Sequence, residues 1–105
     1  MKNITIIGIG LIGSSIARDI REKNKDVIIN IVDNSNTALE KSKKLNLGTN
    51  YFEKISTFID KTEIIFICTP ISAYKSLFEK FNKFKLSNET IITDVGSCKT
   101  EIIKN

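Results

Sequence analysis

Histidine is missing altogether from these 105 residues, and cysteine occurs only at Cys68 and Cys98. A metal site would need carboxylates for nearly all its ligands, and the two thiols show no Cys-x-x-Cys spacing, so none is expected. In a reducing compartment both thiols are expected to be free. A low thiol pKa is conceivable for Cys98 at a helix start, but without a histidine or a second nearby thiol it reads as inert. No apolar run approaches a membrane span, and Met1 leads straight into a strand-like pattern. The expectation is a cytoplasmic chain with no membrane partner. Charge is not bunched either. The net charge is +4, yet the lysines are spread and no arginine cluster occurs, so no nucleic acid is expected as a partner.

What is present is the composition of one soluble globular domain, 41% hydrophobic and 27% charged. It is organised around Ile4-Thr5-Ile6-Ile7-Gly8-Ile9-Gly10-Leu11-Ile12-Gly13-Ser14-Ser15. This reads as an apolar strand, a glycine turn and a helix start, the arrangement that sets a helix N-terminus against a pyrophosphate. Gly8 would turn the chain out of the strand, Gly10 would admit a phosphate to the backbone, and Gly13 would let the helix lie close on the sheet. Context strengthens a spacing that is weak alone. Ile12, Ile16 and Ile20 form a helical stripe, and a second apolar run, 27–32, ends at Asp33. An acidic residue there is placed to bind adenosine ribose hydroxyls.

The rest of the chain alternates in the same way. The first strand is read at 3–7, the first helix at 11–22 and the second strand at 27–32. Ser35 or Asn36 would cap a lysine-faced helix over 37–45, which Gly48 would end. A short third strand is expected near 49–52 and a one-turn helix near 56–59. The run 64–68 reads as a strand buried on both faces, stopped by Thr69-Pro70. Tyr74, Leu77, Phe78, Phe81 and Phe84 give the next helix a core-facing stripe. A fifth strand at 90–93, a turn at 94–97 and a helix from Cys98 follow. Together these predict an α/β fold: a Rossmann-type, doubly wound parallel sheet in three α/β/α layers, with strand order 3-2-1-4-5.

That topology collects Gly8, Ile9, Gly10, Leu11, Asp33, Thr69, Pro70, Gly96 and Ser97 at the carboxyl edge, where the strand order reverses. The amides of Leu11 and Ile12 would face the pyrophosphate. Asp33 would accept from the ribose and repel a 2′-phosphate, favouring NAD over NADP as cofactor. Thr69-Pro70 could line the ribose or nicotinamide side, or simply terminate a strand. Ser72 could touch a ligand or cap a helix. Asp94 reads as ordering its own turn.

Gly8-Ile9-Gly10-Leu11-Ile12-Gly13-Ser14-Ser15-Ile16-Ala17, Val32-Asp33, Cys68-Thr69-Pro70 and Asp94-Val95-Gly96-Ser97-Cys98-Lys99 resemble the prephenate/arogenate dehydrogenase family. The last string is the selective part. The resemblance implies oxidative decarboxylation of prephenate or arogenate, with hydride transfer to NAD(P)+ on the way to tyrosine. It implies that Ser97 contacts the substrate hydroxyl and that Lys99 is mainly structural. Cys98 replaces the family's usual aliphatic residue. The family continues to a catalytic histidine and a helical substrate and dimerisation domain. This sequence therefore resembles the cofactor half, expected to bind NAD without turning over substrate alone, and the whole enzyme is expected to be a homodimer. Two other readings stand beside it: a stand-alone NAD-sensing module, and a dehydrogenase for another small substrate.

Overall fold

The computed structural model describes residues 2–94. Gly96 and Ser97 of the expected site, with the helix expected from Cys98, lie outside the described residues.

The elements are β1 (Asn3–Ile7), α1 (Leu11–Lys23), β2 (Ile28–Val32), α2 (Asn36–Lys44), β3 (Asn50–Phe52), β4 (Ile64–Ile67), α3 (Tyr74–Phe81) and β5 (Ile91–Asp94). Short 3-10 turns at Thr57–Lys61 and Ile71–Ala73 precede β4 and α3. All five strands are parallel, in the expected order β3-β2-β1-β4-β5. No helix among the described residues is long and apolar enough to cross a membrane.

Isoleucine builds the sheet because a β-branched side chain suits a pleated surface packed on both sides. Ile4, Ile6, Ile29 and Ile31 point to one face and join Ala17, Leu39 and Leu47 beneath α1 and α2. Ile7, Val32, Ile65 and Ile67 point to the other and meet Ile59, Leu77 and Phe81. Alternation thus divides one sheet between two cores. Beside Thr62 the second face becomes polar. Asn50 donates to Asn30 (3.0 Å), Asn30 donates to Asn3 (2.8 Å), and Thr5 donates to Thr62 (2.9 Å). Thr5, Asn30 and Thr62 are all buried.

Three expectations need correcting. The buried line of α1 is Gly13 and Ala17, and the half-buried Ile16 and Ile20 of the expected stripe pack beside it on the core. Small residues take the centre because α1 lies close over β1. Helix α2 is capped by Ser35, whose Oγ accepts from the Ala38 N–H at 3.2 Å, but Gly48 does not end it. Asn46 takes the left-handed conformation there (φ 54°). The Asn46 and Leu47 amides then bond back to the carbonyls of Lys43 and Ser42, both at 3.1 Å. Gly48 is small for another reason: a Cβ would stand 2.6 Å from Ile31 Cδ1. Along α3, Leu77 and Phe81 are buried while Phe78 is 41% exposed. Adjacent residues lie about 100° apart around a helix, so with Leu77 near the centre of the buried face Phe78 falls at its margin. Phe84 lies beyond the helix end and still packs on the core.

Candidate functional site

The glycine turn is built where β1 stops. Its entry is held from both sides: Gly8 N–H donates to Val32 O and Cys68 N–H donates to Ile7 O, each at 2.8 Å. Gly8 then takes φ +90°, a conformation that an L side chain resists. Thr69 and Cys68 also crowd the space where its Cβ would stand. Gly10 is the N-cap of α1 and supplies no side-chain cap. The first amides of α1 are therefore left to other partners, unlike those of α2 under Ser35. No acidic side chain stands in that first turn, so no carboxylate of the helix itself offsets the positive end of its dipole. Around Gly10 a Cβ would meet no atom within 4 Å.

Asp33 does more than the sequence pattern suggests. Its Oδ2 accepts from the Ile9 N–H and its Oδ1 from the Ser35 N–H, both at 2.9 Å. The carboxylate thus ties the glycine turn to the start of α2. Each oxygen retains an accepting lone pair, so these bonds leave room for ribose hydroxyls.

Gly8, Gly10, Asp33, Thr69 and Pro70 come together on a cleft of about 460 Å³ at the carboxyl ends of β1, β2 and β4. Leu11, Ile12 and Gly13 do not line it. Leu11, 88% exposed, borders a separate groove between α1 and α2. Gly13 is buried beneath the turn, where a Cβ would fall 2.2 Å from the Gly8 carbonyl oxygen. Ser72 is exposed within the 3-10 turn; α3 begins after Ala73 with no side-chain cap. Asp94 is the last residue of β5 and accepts a hydrogen bond from the Tyr74 hydroxyl, so it ties the edge strand to α3, while the turn it was expected to order lies outside the described residues.

Sequence reasoning missed the outer wall, where Ser76, Leu77 and Lys80 of α3 face Lys54 and Ile55 after β3. The helical spacing of 73, 76, 77 and 80 was the available signal. It also missed Cys68 as a lining residue. Burial pushes this thiol up from 9.0 to about 11, because desolvation penalises the thiolate. With Cys98 replaced by serine, alkylation of Cys68 by iodoacetamide should be slow at about pH 8 and accelerate as pH nears the raised value. Reaction at about pH 8 as fast as that of a free thiol would contradict this environment. The linkage has a definite sign. The folded pKa lies above the unfolded one, so this stability is full below pH 9.0 and declines as pH rises toward about 11.

The residues present fit a dinucleotide. Gly10 leaves the approach to the α1 amides open, Asp33 keeps accepting capacity, and the Thr69 hydroxyl is buried without a hydrogen-bond partner among the described residues. Comparison with known proteins agrees with this architecture. The family described as "Prephenate dehydrogenase, nucleotide-binding domain" matches residues 16–105. Over 103 residues the chain is 34% identical to a cyclohexadienyl dehydrogenase of Zymomonas mobilis, covering 98% of this chain and 35% of that protein. Over 105 residues it is 33% identical to a prephenate dehydrogenase of Lactococcus lactis, covering 99% and 29%. It thus spans about a third of the length of these relatives. In fold it resembles the prephenate dehydrogenase of A. aeolicus, solved with hydroxyphenyl propionate and NAD+. The TM-score is 0.79 at 22% identity, with 90% of this chain and 33% of that one covered. With more than half its length matched by that family, the chain belongs to the prephenate dehydrogenases, as their nucleotide-binding domain.

Proposed function

We propose that the cleft binds NAD, and that the chain is the cofactor half of an enzyme that oxidatively decarboxylates prephenate or arogenate on the route to tyrosine. The observation that carries the cofactor assignment is Asp33, whose carboxylate lines the same cleft as Gly8 and Gly10. There it would accept from the two adenosine ribose hydroxyls and repel a 2′-phosphate. The α1 amides at Leu11 and Ile12 would receive the pyrophosphate past Gly10. Thr69 and Pro70 would lie along the other half of the ligand. When bound, the nicotinamide supplies the hydride acceptor. Ser97 keeps the substrate-contacting role that the family resemblance implies, and Lys99 a structural one.

The chain alone is expected to bind cofactor without turnover, since its 105 residues include no histidine to take the substrate hydroxyl proton. The substrate pocket and dimer contacts are assigned to a further helical domain of the whole enzyme, working in the cytoplasm. A second reading, NADP, is favoured by Lys54 and Lys80 on the outer wall of the cleft. Titration calorimetry of the chain with each dinucleotide tests both. Tighter binding of NAD is the expected result. Preference for NADP would reassign the cofactor to the two lysines, and no binding of either would remove the cofactor assignment.

A further inference from the structure

The Thr69 hydroxyl oxygen is sealed from solvent and has no hydrogen-bond partner among the described residues, although the residue lines the cleft. Its methyl group faces the turn, with Cγ2 at 2.9 Å from where a Cβ on Gly8 would stand. A buried hydroxyl with no partner is destabilising, and folded interiors keep few of them. The side chain has an alternative. Rotation by about 120° about Cα–Cβ, from one staggered well to the next, carries the hydroxyl into the place of the methyl and the methyl into that of the hydrogen. Gly8, having no Cβ, leaves room beside the turn for that rotation.

We propose that Thr69 is a ligand-triggered rotor. In the ligand-free chain its hydroxyl lies inward and unpaired. When a dinucleotide enters, it turns to hydrogen-bond a phosphate or ribose oxygen beside the glycine turn. The unpaired hydroxyl lowers the stability of the free chain, and that deficit is recovered on binding. Stability and affinity are thereby set against each other at one side chain. This inference rests on the nucleotide reading of the cleft and adds to it a residue whose substitution should move two observables in opposite directions.

The test compares wild type, Thr69→Val and Thr69→Ser in thermal melts without ligand and in calorimetric titration with NAD. Valine keeps the branched shape and removes the hydroxyl. Thr69→Val should melt a few degrees higher than wild type, roughly the gain from removing one unpaired buried hydroxyl. It should bind NAD roughly three- to tenfold more weakly, the loss of about one hydrogen bond. Thr69→Ser, which keeps the hydroxyl, should bind within about twofold of wild type. A threonine with a merely structural role would lose melting temperature on going to valine and leave affinity unchanged. Either of those results, with wild type binding NAD, overturns the rotor alone. A wild-type chain that binds neither NAD nor NADP overturns the nucleotide reading and the rotor with it.

Discussion

Gly13→Ala should cost the fold about 3 kcal/mol or more, at or beyond the top of the usual range for overpacking a tight contact. The added Cβ would sit 2.2 Å from the Gly8 carbonyl oxygen and 3.3 Å from Ile6 Cγ2. That oxygen is backbone, and its turn is pinned: Gly8 N–H bonds Val32 O, and Ile9 N–H bonds the Asp33 carboxylate. Relief must come from α1 lifting off β1, which would loosen Ala17 and the flanking Ile16 and Ile20. For a domain of this size, ~3 kcal/mol corresponds to a fall of roughly 10–20 °C in melting temperature. Urea denaturation should show the midpoint falling in step. A variant with the wild-type midpoint would mean that α1 does not lie as close to β1 as described.

Three residues earlier, the opposite is expected. Around Gly10 a Cβ meets nothing within 4 Å, and the residue has φ −51°, which imposes no left-handed strain. Gly10→Val should therefore fold and melt like wild type. Its side chain would occupy the approach to the α1 amides, and NAD affinity should fall by roughly two orders of magnitude, about 3 kcal/mol. Calorimetry on the variant, with a melting curve beside it, separates the two effects. Unchanged affinity would show that the phosphate does not pass Gly10. A collapse in stability would show that the space there is not open. One glycine thus guards the fold and the other the ligand, though both belong to the same short motif.

That motif was legible because its glycine duties depend on local geometry. The strand order was legible too, since apolar runs alternating with helical stripes leave few right-handed parallel arrangements. The placement of Asp33 at the end of β2 followed from the same reasoning. Contacts between segments distant in sequence were not legible. Gly48 looks like a helix terminator in the sequence, and only its distance to Ile31 reveals a packing role. The two backbone bonds of Asp33 join residues 24 and 2 positions away, and no periodicity announces them. Ile12 and Phe78 satisfy the helical pattern but sit at the margins of their faces, because a pattern gives a stripe without giving its centre. Ser76 and Lys80 became part of a cleft wall only once α3 was placed beside the loop after β3.

The hydrogen bonds among Asn50, Asn30, Asn3, Thr5 and Thr62 bear on which of several sheets this sequence makes. Its strands are so alike in isoleucine that sliding one past its neighbour by two residues would keep apolar side chains on both faces. Hydrophobic burial alone scarcely distinguishes those pairings. The observed register sets Thr5 opposite Asn30 and Asn30 opposite Asn50. A two-residue slip of β2 along β1 would place either Asn30 beside Ile7 or Thr5 beside Val32, stranding a polar group in the interior at about 1–3 kcal/mol each. These few polar side chains therefore act as alignment marks for an otherwise repetitive sheet. Because β1, β2 and β4 each end in a site loop, they also keep Gly8, Asp33 and Thr69 level at one edge.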